Sequence, residues 1–93
     1  MVKKNLRNWS NVFKGLGNVN RLKILKILSK RNEVSVSELS DPVGISFKNT
    51  SRNLNILLNL DLVQYRGKEG RVFYSMNVDL DADIKWLLKL IYD

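Results

Sequence analysis

Ninety-three residues suffice for one domain with a modest core and are too few for two, so a single unit spanning 1–93 is expected to carry the whole function. The chain has neither cysteine nor histidine, which excludes disulfides, thiolate nucleophiles, imidazole acid–base chemistry and the usual soft-metal ligands; no metal, no cofactor and no catalysis are expected. No apolar run approaches the roughly 18 residues of a membrane span, and a net charge of +7 favours acidic partners, nucleic acid first, although lysines that only confer solubility would give the same total.

Val2, Leu6, Trp9, Phe13 and Leu16 recur at intervals of four and three, the stripe of an amphipathic helix over 1–16, with Gly15 and Gly17 read as its end. The lead-in Met1-Val2-Lys3-Lys4 lacks the apolar stretch and small-residue site of an export signal, so the cytoplasm is the expected compartment. A second helix starts near Asn18 or Asn20, either of which can cap it. It turns Val19, Leu22, Leu25 and Leu28 inward, broadened by Ile24 and Ile27, and Lys23, Lys26 and Lys30 outward.

Ser35-Val36-Ser37-Glu38 has the spacing of a capping box, with the Ser35 hydroxyl accepting from the Glu38 N–H and the Glu38 carboxylate accepting from the Ser35 N–H. The third helix that begins there should be short. Pro42 lacks a donor and pushes Asp41 from helical geometry, while Gly44 can take a left-handed turn. Ser46 then caps a fourth helix over about Phe47 to Leu60. At 100° per residue Thr50, Leu54 and Leu57 fall on one face, while Lys48, Arg52 and Asn55 fall on the other with Asn49 and Ser51 beside them. That outward face has no acid, whereas a merely solvated helix alternates acids with bases. Phe47 lies about 60° from the core stripe and is read as packed, contact with a thymine methyl being the alternative.

Leu62–Arg66 and Arg71–Met76 are rich in β-branched and aromatic residues and flank the turn Gly67-Lys68-Glu69-Gly70, a two-stranded hairpin whose aromatics Tyr65, Phe73 and Tyr74 are assigned to the core. Asp79 or Asp81 caps a last helix in which Ile84, Leu87, Leu88 and Ile91 form one stripe and Trp86 and Leu90 a second. Asp79, Asp81 and Asp83 suit capping and the helix dipole better than catalysis. They also complement residues 1–32, where Lys3, Lys4, Arg7, Lys14, Arg21, Lys23, Lys26, Lys30 and Arg31 meet no acid.

The expected fold is mainly α with a two-stranded hairpin: about five helices, in the order of a winged helix-turn-helix. Asn20-Arg21-Leu22-Lys23-Ile24-Leu25, Val36-Ser37-Glu38-Leu39, Gly44-Ile45-Ser46, Ser51-Arg52-Asn53-Leu54, Leu62-Val63 and Gly70-Arg71-Val72-Phe73-Tyr74 follow in series, and residues 19–76 resemble the ArsR-type winged-helix transcriptional regulators. Departures from that family are informative. Ser35-Val36-Ser37 stands where metal-sensing members carry Cys-Val-Cys, and the last helix lacks the histidines of the other metal site, so no zinc, arsenic or cadmium response is expected. Asn53 replaces a common His, Asp61 replaces a frequent Gly at a left-handed cap, and Pro42 bears on the geometry of the turn.

The expected function is sequence-specific binding of double-stranded DNA by a homodimeric transcriptional regulator, a repressor. Residues 35–60 form the helix-turn-helix, 62–77 the wing, and 1–16 with 80–93 the dimerisation helices. In the major groove Arg52 matches guanine O6 and N7, Asn49 or Asn55 matches adenine N6 and N7, and Lys48 reaches guanine or phosphate. Ser46 and Ser51 suit phosphates; Arg66, Lys68 and Arg71 flank the hairpin tip, where a wing reaches the adjacent backbone or minor groove and Glu69 moderates the attraction, an ordinary solvated turn being the alternative; Lys23 and Lys26 are weaker phosphate candidates. Surplus apolar residues Val2, Leu6, Trp9 and Phe13 are expected to meet Ile84, Trp86, Leu87, Leu90 and Ile91 across a two-fold axis, and the resemblance implies the same surfaces. The competing readings are a winged-helix protein-interaction module without specific DNA binding, RNA binding, and a membrane-surface helix at 1–16.

Overall fold

A computed structural model describes residues 5–92, so Val2 lies outside the described residues. The element order is α1 (Leu6–Leu16), α2 (Val19–Lys30), β1 (Val34–Ser35), α3 (Val36–Val43), α4 (Phe47–Asn59), β2 (Val63–Lys68), β3 (Arg71–Met76) and α5 (Ala82–Lys89). Five helices over a small sheet match the expected architecture among the described residues. The sheet, however, has three strands, ordered β1-β3-β2, where a two-stranded hairpin was expected. A strand of two residues is too short to leave a periodic signal.

Capping residues set most boundaries. Asn18, rather than Asn20, caps α2 by accepting from the N–H groups of Asn20 and Arg21, and the Ser35/Glu38 box closes α3 as read from its spacing. Gly44 takes the left-handed C-cap of α3 at φ 82°. α3 nevertheless runs through Pro42 to Val43, further than the proline rule predicts. Pro42 sits in the last turn, where it forfeits a single N–H bond, and Leu39 and Val43 anchor that turn in the core. α4 ends at Asn59 with Leu60 as C-cap. Asp61 then adopts φ 57°, and the Asp61 N–H and Leu62 N–H donate to the Leu58 and Leu57 carbonyls, the paired bonds of a Schellman motif. Asp81, not Asp79, occupies the N-cap position of α5, but its side chain makes no cap hydrogen bond to the helix.

β2 and β3 pair from Val63↔Met76 to Lys68↔Arg71, which leaves only Glu69 and Gly70 as the connection. Both have positive φ, 53° and 75°, as a type I′ turn requires. Gly67 and Lys68, read as turn residues from sequence, therefore belong to the strand. Tyr65 is 61% exposed instead of joining the core, although its cross-strand partner Tyr74, on the same face with the ring centres 6.1 Å apart, is buried.

One apolar cluster joins all the helices, with Ile24, Leu25, Leu39, Leu54, Leu57 and Leu62 essentially sealed from solvent. Two helices orient differently from expectation. In α1 the residue driven into the core is Val12, at 4% exposure, while Leu6 and Phe13 are left outside. Gly15 does not end α1 but lies buried within it, where a Cβ would collide with Leu60 Cδ1, so α1 and the end of α4 approach closely there. In α2 Val19 is exposed and Ile24 takes the inward place.

Candidate nucleic-acid interface

The outward face of α4 is built by its inward one. Thr50 is fully buried beneath the helix, donating through Oγ1 to the Ser46 carbonyl (2.8 Å) and accepting from Ser40 Oγ (3.1 Å), while Leu54 and Leu57 seat the rest of that stripe. Ser46 Oγ accepts from the Asn49 N–H at 3.1 Å, so the serine read as a phosphate ligand is engaged as a cap. With the inner face fixed, Lys48, Asn49, Arg52 and Asn55 all project into solvent and Ser51 is half-buried. These side chains share one surface, and no acid occurs between Phe47 and Asn59.

Arg21 sets the position of α4, a role the sequence reading did not give it. Its guanidinium, on α2, donates from Nη1 to Asn53 Oδ1 (2.9 Å), from Nη2 to the Lys14 carbonyl (3.2 Å) and from Nε to the Gly15 carbonyl. Lys14 and Gly15 lie in the last turn of α1, where carbonyls have no helical donor and the dipole favours a cation. Asn53 in turn donates to the Asn49 carbonyl at 3.0 Å. One planar fork thus ties α1 to the recognition face. The signal available in sequence was Asn53, noted as a departure from the related pattern but without its partner.

The three basic wing residues differ in their surroundings. Arg66 forms an ion pair with Glu33, which precedes β1. Arg71 reaches Ser35 Oγ at 3.4 Å, and its Cζ lies 5.2 Å from the centre of the Phe73 ring. Lys68 is exposed beside the turn. Ser35 is therefore shared: it bonds Glu38 (2.9 Å), Ser37 (3.2 Å) and Arg71, joining the start of α3 to the wing. Hydrogen bonds from the Ser35 backbone and side chain hold the Glu38 carboxyl below its ordinary range, helped by Arg31 and Arg71 and opposed by slight desolvation. Lys23 is exposed on α2, and Lys26 is partly covered.

A second surface lies on the opposite elements. Leu6, Phe13, Trp86 and Leu90 are 88%, 55%, 67% and 66% exposed, and Trp9 stacks on Phe13 with ring centres 5.8 Å apart. Trp9, Phe13, Trp86 and Leu87 line an apolar groove edged by Asp83, while Ile91 is half-buried against the core. Ile84, expected on the same face, is instead 2% exposed and packs within the chain's own core. Among the described residues no helix is long and apolar enough to cross a membrane.

A family model described as bacterial regulatory protein, arsR family, matches residues 18–65. A cadmium resistance transcriptional regulatory protein CadC homolog from Staphylococcus aureus is 33% identical over 90 residues, covering 96% of this chain and 71% of its own length. Among solved structures, HlyU from Vibrio cholerae superposes with a TM-score of 0.80 at 31% identity, covering 98% of this chain and 95% of that one. A possible ArsR-family regulator from Mycobacterium bovis, solved as a homodimeric winged helix-turn-helix DNA-binding domain, superposes with a TM-score of 0.77 at 27% identity, covering 98% and 86%.

Proposed function

Because the chain belongs to the arsR family of transcriptional regulators and has their winged helix-turn-helix fold, we propose that it is a homodimeric repressor that binds double-stranded DNA sequence-specifically through α4 in the major groove. The observation that carries this reading is the exposed, acid-free face of Lys48, Asn49, Arg52 and Asn55, held out by a fully buried Thr50–Leu54–Leu57 stripe. Arg52 pairs with guanine, Asn49 or Asn55 with adenine, and Lys48 with guanine or phosphate. Ser51 and the capped N-terminus of α4 at Ser46 hold phosphates. Lys68 and Arg71 extend the same basic footprint along the wing, and Arg66 joins it where a phosphate displaces Glu33.

Residues 35–60 act as the helix-turn-helix and 62–77 as the wing, with the ends of the chain forming the dimer. Exposed Leu6, Phe13, Trp86 and Leu90, with Trp9, Leu87 and Ile91 beside them, are the partner-facing set, and Ile84 supports it from beneath. A two-fold dimer sets recognition helices about 34–36 Å apart on a nearly palindromic operator. The Staphylococcus relative's name refers to cadmium, but Ser35 and Ser37 offer hydroxyls, poor ligands for soft ions, and Ser35 is already committed to Glu38. The regulatory input is therefore not a thiophilic metal.

Selection of bound duplexes from a random DNA pool tests the reading. A dyad-symmetric motif is the expected result. Failure to enrich any sequence, even in dilute buffer, would overturn it in favour of a protein-interaction module.

A further inference from the structure

Phe47 is the first residue of α4, directly after the Ser46 cap, and it is 60% exposed. The sequence reading took it as packed, with contact to a thymine methyl as the alternative, and it has no part in the buried cluster. It forms one wall of a shallow cleft of about 320 Å³ between the first turn of α4 and the wing, facing Val72, itself 45% exposed, with Ser35, Ser37 and Arg71 on the rim. The cleft is an apolar notch in an otherwise polar, cationic surface. Glu38, which bonds the rim residue Ser35, is also paired with Arg31.

An aromatic ring at this position has no hydrogen bond to offer a base edge. The apolar feature that a base pair presents in the major groove is the methyl group on C5 of thymine, and a C5-methylated cytosine presents the same group. The leading turn of a recognition helix is also the part that approaches base edges most closely. We infer that Phe47 is a specificity-determining residue that receives the C5-methyl group of a pyrimidine, with Val72 closing the notch from the wing. This rests on the reading of α4 as the major-groove helix.

The test alters the DNA before the protein. In the duplex selected by the full chain, each thymine is replaced in turn by deoxyuridine, which removes only the methyl group, and affinities are measured by fluorescence anisotropy. One thymine in each half-site should show about a fourfold loss, the transfer free energy of one methyl-sized group. At that position a C·G pair should weaken binding and 5-methylcytosine should recover part of the loss, separating the methyl group from the thymine O4. With Phe47→Ala the thymine and deoxyuridine duplexes should bind equally, and thermal melting should show the variant folded, because the ring lies outside the core. Deoxyuridine tolerated at every position, or a penalty that persists in Phe47→Ala, overturns the inference and leaves the DNA reading standing. Failure to select any duplex overturns both.

Discussion

Replacing Arg21 by alanine should destabilise the scaffold without removing any proposed DNA contact. The guanidinium serves three acceptors on two other helices, two of the bonds being partly shielded and the one to the Lys14 carbonyl exposed. Hydrogen bonds to charged groups contribute about 1.5–3 kcal/mol each in favourable settings, and with shared donors and partial solvation we expect a total loss of about 2–4 kcal/mol. For a domain of this size that corresponds to a drop in Tm of about 10–25 °C. Arg21→Lys keeps a cation near the end of α1 but cannot span three acceptors, so its loss should be intermediate. Asn53→Ala should cost about 1 kcal/mol, and the double variant should show a coupling energy of about 0.5–1.5 kcal/mol. Far-UV circular dichroism melts at one fixed protein concentration provide the readout, since dimerisation makes Tm concentration-dependent. An Arg21→Ala melt within about 4 °C of the parent, or strict additivity with Asn53→Ala, would refute the claim that this fork holds the recognition helix.

Arg52→Ala should lose about 1–3 kcal/mol of operator affinity and relax the selected motif, whereas Lys68→Ala should weaken all sequences alike and flatten the salt dependence; equal effects in both assays would remove the base-readout assignment. Trp86→Glu, at a residue 67% exposed, should leave the protomer folded but convert a dimer to a monomer by light scattering at micromolar concentration. A parent protein that is itself monomeric there would end the dimer proposal. Glu38 is held below its ordinary value of 4.5, so the stability it contributes is present above that pH and is lost as pH falls through its lower folded value. Glu38→Gln should accordingly make the acid side of a Tm–pH curve shallower, and an unchanged curve would show that the cap does not depend on its charge.

The parts of the fold that were legible were those written locally. The two faces of α4, the Ser35/Glu38 box and the Gly44 cap depend on spacing within one or two turns, and each appears where spacing placed it. The misreadings share a different cause. α1 carries an apolar arc wider than its own core contact, and nothing in its period says that Val12 rather than Phe13 should join the core cluster built by the other helices. Gly15 reads as a terminator until Leu60, distant in sequence, is seen against it. β1 exists because β3 offers it an edge, and Arg21 matters because α1 ends beside α4. At the candidate site the polar face was legible, while the exposure of Phe47 was not, because the cleft it lines is shared with β3, distant in sequence.

The three-stranded part of the sheet spans only Val34↔Tyr74 and Ser35↔Phe73. Beyond Phe73 the hairpin continues as two strands to its turn, and Ser35 at the clamped end is also the first cap of α3. The wing is thus a cantilever: its root, to which Arg71 is also tied through Ser35, cannot move without disturbing α3, whereas the blade from Gly67 to Gly70 is held by the β2–β3 ladder at its tip. Adjustment to a wider or narrower groove would be confined to that blade, leaving the geometry of the recognition helix unaltered.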